Sequence, residues 1–255
     1  MLLEEFDEDP ALINPADVVK QQPIAAVGMP KTVLCPFSGA LVASLLGAGQ
    51  LKQIGALSSI NGPEPVYQYE TGGSRFALFM PRIGAANAVG LLEELYGAGA
   101  RQFVVFGSCG VLDPHLAADT LIIPTAAIRD EGTSYHYAPA SPTIAADPAA
   151  VATMQAVFDR SHFSHQQAVT WTTDAFYRET AARKRRMIDL GAQVVEMEAA
   201  ALFAWSQFRQ LGLYQFFYTA DHVAETGWDE RISQRTHAVA DFFAAAVAVA
   251  QAVRR

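Results

Sequence analysis

An α/β domain, built on a central, largely parallel mixed sheet flanked by helices, is the fold class this sequence predicts. Three observations carry that expectation. Short β-branched or aromatic runs recur along the chain, each followed by a helical pattern, and such alternation builds parallel sheets through crossover connections. Several of the runs are apolar on both faces, as a sheet covered by helices requires. The chain has 255 residues, 51% hydrophobic and only 17% charged, which is not a disordered composition and suits one large domain or two small ones.

In chain order, residues 1–30 are irregular, open on the acidic stretch Met1–Pro10, and read as an N-terminal extension to a domain spanning 31–255. Strand runs follow at Thr32–Pro36, Phe76–Met80, Gln102–Phe106, Thr120–Ile128, Ala168–Thr172, Val194–Glu196 and Gln215–Ala220. Helical patterns cover Ala40–Leu46, Ala85–Gly97, Pro148–Arg160, Thr180–Leu190, Ala199–Leu211 and Asp229–Arg254. The last of these starts with Asp229-Glu230 and ends on Arg254-Arg255, charges that match the helix macrodipole. Residues 129–147 form a polar, aromatic loop with Gly132, Ser134, Tyr135, His136 and Tyr137, a place where ligand contacts are expected.

Composition narrows the function. The net charge of −8 argues against a nucleic-acid surface. The one basic run, Arg183-Lys184-Arg185-Arg186, reads as a solvated helix face. Cys35 and Cys109 are too few and too far apart for a disulfide framework or a zinc site, so no metal is expected. The longest apolar run, Phe242–Ala250, is too short to span a bilayer. A cytoplasmic protein without membrane or nucleic-acid partners is the expectation.

The chemistry gathers at strand ends, where open parallel sheets bind ligands. Gly107-Ser108-Cys109-Gly110 follows one strand, Arg129–Tyr137 another, Thr172–Tyr177 a third and Asp221-His222 a fourth. The stretch Val195-Glu196-Met197-Glu198-Ala199 adds two carboxylates where a strand turns into an Ala-rich helix. Buried acids are costly unless paired or hydrogen-bonded. Their local pattern alone fits either a helix N-terminus, where the dipole favours Glu, or a site for a ligand rich in hydroxyl or N–H groups.

Taken together these motifs resemble the nucleoside phosphorylase superfamily with the uridine phosphorylase and hexameric purine nucleoside phosphorylase fold. The likeness runs in order through Ile83-Gly84-Ala85-Ala86-Asn87-Ala88, Glu93-Glu94-Leu95, Gly107–Leu112, Arg129–Ser134, Asp174–Tyr177, Val195–Ala201 and Thr219–His222. It implies reversible phosphorolysis of a nucleoside to free base and ribose 1-phosphate. No cofactor is implied beyond phosphate as co-substrate, and the expected assembly is a homo-oligomer, a dimer or a hexamer. In that resemblance Phe176, with Tyr177 beside it, stacks on the base. Met197 packs on the sugar, Glu198 takes the ribose hydroxyls and Glu196 lies near the base edge. Ser108, with Cys109 and Gly110 in the same turn, faces the phosphate, and Asp221 protonates N7 of a departing purine. Cleavage of such a bond passes through an oxocarbenium-like sugar, and an acid beside the base can donate only if burial and a neighbouring acid hold it neutral.

The chain departs from the family pattern at the anion. Relatives carry an arginine two residues before the Gly–Ser turn, where this chain has Val105. They also carry a Gly-Asp-Pro-x-Arg loop where it has Phe37-Ser38-Gly39-Ala40-Leu41. A buried dianion without such partners is unfavourable. Arg82, Arg129 and Arg178 are the expected replacements, with Arg231 near the same loops. The hydrolytic cousins that cleave methylthioadenosine also lack the first arginine, but they activate water with an N-terminal glutamate, and residues 32–46 contain none. Glu131 is the acid available for that role. The Gln-x-Arg pair that reads uracil is replaced by Thr180-Ala181-Ala182, so Asp221 favours a purine. Hydrolysis by water, or nucleoside binding without turnover, stand as the alternatives.

Overall fold

The computed structural model describes residues 5–20, 22, 24, 28–60, 62–117, 120–223, 228, 229 and 239–254; at 221–223, 228, 229, 239 and 240 it describes the backbone alone. The strands are β1 (Thr32–Pro36), β2 (Leu51–Ser59), β3 (Gly62–Thr71), β4 (Ser74–Leu78), β5 (Gln102–Val111), β6 (Leu121–Asp130), β7 (Thr143–Ala145), β8 (His165–Thr173), β9 (Val194–Glu196), β10 (Gly212–Val223) and β11 (Trp228–Asp229). The helices are α1 (Pro15–Val19), α2 (Gly39–Gly47), α3 (Ala85–Gly97), α4 (Pro148–Arg160), α5 (Ala181–Asp189), α6 (Ala199–Arg209) and α7 (Val239–Ala252). No helix among the described residues is long and apolar enough to cross a membrane.

All strands join one mixed sheet in the order β11-β10-β6-β8-β9-β5-β1-β4-β3-β2, with β7 added on β6. Around the centre the pairs β1–β4, β1–β5, β5–β10, β6–β8 and β8–β9 are parallel, as the βα alternation predicts. Because β10 pairs with both β5 and β6, the path β10-β6-β8-β9-β5 closes on itself. Such closure removes free edges and holds the ends of β5, β8 and β9 beside one another.

Side chains along β5 and β10 alternate between two cores, as a pleated strand requires. Phe103, Val105, Cys109, Leu213 and Phe217 pack with Leu92 and Leu95 of α3 and with Ala199–Trp205 of α6. Val104, Phe106 and Phe216 face the other way, toward Leu41 of α2, Phe158 of α4 and Phe243 of α7. Local chemistry fixes the helix starts. Ser38 Oγ accepts from Leu41 N at 3.2 Å at the head of α2, and Asp147 Oδ1 accepts from Ala149 N at 2.9 Å before Pro148 opens α4.

Four features differ from the sequence expectation. Strands β2 and β3 form a hairpin at the sheet margin. Their Gly55, Pro63 and Pro65 hide the strand pattern; Pro63 and Pro65 are tolerated because that part of β3 pairs with β2 alone, β4 joining only from Tyr67 onward. The final helix begins at Val239 rather than Asp229; Asp229 is in β11, where it pairs with His222, and its expected role at a helix start is replaced by Asp241 in the first turn. Residues 230–238 lie outside the described residues. The segment read as irregular contains α1, and its Val19 and Ile24 are buried in the core. Gly97 permits this docking, since a Cβ there would lie 2.7 Å from the Pro15 backbone. In the basic run on α5, Lys184 is buried and Arg183 forms an ion pair with Asp130, while Arg185 and Arg186 are exposed.

One buried charge cluster ties α3, α6 and the 133–137 turn together. Glu93 accepts from Arg209 Nε at 3.0 and 3.1 Å, from Arg209 Nη2 at 2.9 Å and from the Tyr137 hydroxyl at 3.1 Å. Removing one partner of such a pair strands the other charge. Glu93→Ala is expected to cost about 3 kcal/mol, read as a lower urea midpoint at unchanged slope. An unchanged midpoint would remove the cluster from the stability of this face.

Candidate functional site

Strand β9 is three residues long and is held on both sides: Val195 pairs with Gly110 of β5, and Glu196 with Thr172 of β8. Helix α6 starts three residues later, leaving its first N–H groups without intrahelical acceptors. Glu196 supplies one. Its Oε2 accepts from Glu198 N and Ala199 N, both at 2.7 Å. Its Oε1 accepts from the Thr172 hydroxyl at 2.6 Å and the Thr170 hydroxyl at 3.2 Å. Thr172 Oγ1 in turn accepts from Ala200 N at 3.0 Å. Thr170 and Thr172 lie two residues apart, on one face of β8, as this double contact needs. Both oxygens of Glu196 are therefore engaged by protein donors, and its carboxylate fastens α6 to β8. Burial pushes its pKa up, and these four hydrogen bonds oppose the shift.

Glu198 is held differently. Its Oε1 accepts from Gly84 N at 2.7 Å. Gly84 precedes α3 with φ of 97°, a conformation that favours glycine and turns its N–H toward this acid. Burial and the neighbouring Glu196 charge push the Glu198 pKa up to about 8, against the Gly84 and Met197 backbone bonds that lower it. Of the two acids, Glu196 has the donors to stay charged, and Glu198 carries the shared proton near neutrality.

Between them and β5 lies a cavity of about 170 Å³. Glu196, Met197 and Glu198 form one wall, Gly107 and Ser108 another, and Phe37, Ile83, Gln215 and Phe217 complete it. Phe37 closes over Gly107, where a Cβ would lie 2.9 Å from the Phe37 Cβ. A recess of about 450 Å³ shares Phe37 and Ile83 with the cavity. It is lined by Ser38 and Gly39 at the start of α2, with Met80, Pro81, Arg82 and Asn87.

The structure thus brings Ser108, Glu196, Met197 and Glu198 to one cavity and leaves other sequence candidates outside it. Cys109 is 2% exposed in the core and its thiol contacts the Tyr218 carbonyl, because it alternates with Ser108 along β5. Gly110 is spent on backbone pairing with Val195 and Asp221. Arg129 was expected to reach an anion. Instead it is buried, donating to Ser134 Oγ, Ser141 Oγ and the carbonyls of Ala138 and Pro139, with its guanidinium 4.0 Å from the Tyr135 ring centre. Arg82 lines the recess and pairs with Glu64 at 2.8 Å. Arg178 is exposed in the 3₁₀ turn of residues 176–178, as are Phe176 and Tyr177, whose rings stand 3.9 Å apart. Glu131 is buried and accepts from Ser134 N, capping its own turn. The backbone register shifts between Thr219 and Asp221, so Asp221 lies opposite Gly110; the Asp221 side chain and Arg231 lie outside the described residues.

Sequence reasoning missed Gln215 and Phe217 as wall residues, and named Phe37, Ile83 and Gly107 only within longer motifs. Gln215 carried the one available signal, a polar side chain inside the apolar run Leu213–Phe217.

Comparison with known proteins gives the family of the chain. Residues 35–253 match the phosphorylase superfamily. The chain belongs to that family. It is 31% identical over 139 residues to a uridine phosphorylase of Treponema pallidum, a match covering 50% of this chain and 54% of the relative. It is 29% identical over 130 residues to a guanosine phosphorylase of Halorubrum lacusprofundi, covering 51% and 54%. A uridine phosphorylase of Haemophilus influenzae is 26% identical over 161 residues, covering 58% and 60%. The chain thus spans about half the length of the curated relatives it matches.

The raised pKa of Glu198 has a consequence for stability. An acid whose folded pKa, about 8, exceeds its ordinary value of 4.5 holds more protons folded than unfolded. Its contribution is therefore intact at acid pH and is lost as pH rises between those values, at up to about 1.4 kcal/mol per pH unit. Urea unfolding across pH 5 to 8 is expected to show this loss, and Glu198→Gln is expected to flatten it. An equal slope in wild type and variant would contradict the assignment.

Proposed function

We propose that this protein catalyses the reversible phosphorolysis of the N-glycosidic bond of a nucleoside, with a purine as the leaving base. The observation that carries the reading is Glu198, a buried acid held by Gly84 in the wall of a cavity that also contains Ser108 and Met197. Membership of the phosphorylase superfamily and likeness to proteins named uridine and guanosine phosphorylase support it. In this reading the C1′–N bond breaks with its electron pair moving to the base. Asp221 gives a proton to N7, a phosphate oxygen bonds to C1′, and free base and ribose 1-phosphate leave. Glu198 binds the ribose hydroxyls, Met197 packs on the sugar, Phe176 and Tyr177 cover the base, and Ser108 donates to the phosphate. Holding the sugar in this way lowers the barrier by orienting it in advance.

Phosphate would enter from the recess, where Arg82 stands beside the N-terminus of α2. An anion is favoured at such a terminus. The exposed Phe176 and Tyr177 fit a homo-oligomer in which a second copy covers the base. Such a protein would work in the cytoplasm, where nucleosides and phosphate meet.

One observation favours a second reading, hydrolysis by water. Val105 and Leu41 are buried in apolar cores, and no arginine or lysine lines the cavity among the described residues. Incubation with inosine, guanosine, adenosine, uridine and methylthioadenosine, with and without phosphate, separates the two. Phosphate-dependent base release is expected. Release that ignores phosphate would replace phosphorolysis with hydrolysis, and binding without release would overturn both.

Two variants test the roles. Glu198→Gln replaces the proton-bearing carboxyl that holds the ribose hydroxyls, and the loss of one neutral hydrogen bond is expected to lower turnover by up to about one decade with the fold intact. Asp221→Asn is expected to damage purine nucleosides far more than substrates whose base leaves without protonation. Equal losses on both substrate types would give Asp221 a structural role instead.

A further inference from the structure

Gln215 is the polar group in the cavity wall that the reading above does not use. It lies in the middle of β10, is 2% exposed, and its Oε1 finds no hydrogen-bond partner among the described residues. Buried polar atoms are almost always satisfied, so an exception needs an explanation. Three other buried side-chain atoms share that condition, on Gln102, Glu131 and Trp205. Gln215 differs in lining the cavity with Ser108 and Glu198.

Its level in the sheet gives it a distinct task. Gln215 pairs in register with Val105, while Ser108 pairs with Tyr218 three residues further along, and Gly110 stands at the level of Val195 and the glutamates. In-register neighbours on parallel strands share a face, so the carboxamide rises on the same side as Val105, one step below Gly107 and on the face opposite the Ser108 side chain. The cavity thus has an acidic rim at Glu196 and Glu198 and an uncharged floor at Gln215, with Phe37 and Phe217 alongside. If the sugar is held at the rim, the group that approaches it from the floor is the nucleophile.

We propose that Gln215 is a nucleophile-binding residue, its carboxamide hydrogen-bonding an oxygen of the nucleophile. This rests on the glycosidic-bond reading above. The carboxamide offers an N–H donor to a phosphate oxygen and an acceptor to a P–OH or a water molecule. No bond to Gln215 forms or breaks. It orients the nucleophile while an unprotonated phosphate oxygen bonds to C1′ and the C1′–N electron pair leaves with the base; where water attacks, its proton replaces the one Asp221 has given to the base.

The test compares wild type with Gln215→Leu and Gln215→Met, two apolar replacements of similar size that leave Glu198 and Ser108 in place. Thermal unfolding reports whether each variant folds. Loss of one neutral hydrogen bond corresponds to roughly a threefold to tenfold effect. Where base release depends on phosphate, the expected result is a KM for phosphate raised by about that factor. Where release ignores phosphate, the expected result is a kcat lowered by about that factor. In both cases the KM for the nucleoside stays within about twofold of wild type, a split that a merely structural role would not produce. Unchanged nucleophile parameters, or a loss appearing in the nucleoside KM, would overturn the proposal. If wild type releases no base from any nucleoside, the function reading fails, and the role of Gln215 is decided by wild-type crystals soaked in inorganic phosphate. A phosphate oxygen within hydrogen-bond distance of the Gln215 carboxamide upholds a nucleophile-binding floor. A carboxamide bonded only to protein groups, with phosphate absent from the cavity, overturns it.

Discussion

Four hydrogen bonds to one carboxylate organise this molecule. Glu196 receives two hydroxyls from β8 and two backbone N–H groups from the start of α6. Each unmet buried N–H at a helix start costs about 1–3 kcal/mol, and α6 starts in the buried core, where water cannot meet that need. Ala199, Ala200 and Ala201 are fully buried, so the helix lies close against the sheet. Replacing the acid's acceptors would leave the Glu198 and Ala199 N–H groups and the Thr170 and Thr172 hydroxyl protons without acceptors. The position of everything carried by α6, including Met197 and Glu198 just before it, follows from this contact.

The same contact sets the electrostatics. An ionised Glu196 raises the cost of ionising Glu198, which is itself buried. The two carboxylates, two residues apart in sequence, are thereby driven to different tasks, one structural and charged, the other proton-bearing and open to the cavity. The strand circuit β10-β6-β8-β9-β5 keeps this arrangement rigid. It places the donors on β8, the short β9 and the Gly107–Ser108 segment of β5 within one closed path. A site on such elements is held more firmly than one on loops. The contrast is visible in residues 176–178, where Phe176 and Tyr177 lie on an exposed turn.

Much of this was legible in the sequence because its causes are local. Val194–Glu196, Ala85–Gly97 and Pro148–Arg160 have the bounds that apolar periodicity and capping residues predict. The Glu pair at a strand end was visible in the sequence with its role open, Met197 and Ser108 were named through the family resemblance, and the four line one cavity. What stayed hidden depends on partners distant in sequence. Arg129 looked available for an anion because its acceptors, Ser134, Ala138, Pro139 and Ser141, are ordinary loop residues until the loop folds back on it. Cys109 and Ser108 are adjacent in a motif but point to opposite sides of β5. The β2–β3 hairpin carries prolines that argue against a strand except at a sheet margin. Phe37 and Gln215 meet the site only through the order of strands, which no local pattern contains.

The central claim is that Glu196 is the charged anchor and Glu198 the proton-bearing acid beside it. Carboxyl ¹³C NMR titration of protein labelled at glutamate tests it most directly. The account predicts one glutamate titrating near pH 8, absent in Glu198→Gln and moved to lower pH when Glu196→Gln removes the neighbouring charge. A spectrum in which every glutamate titrates in the ordinary range, around pH 4, would contradict it.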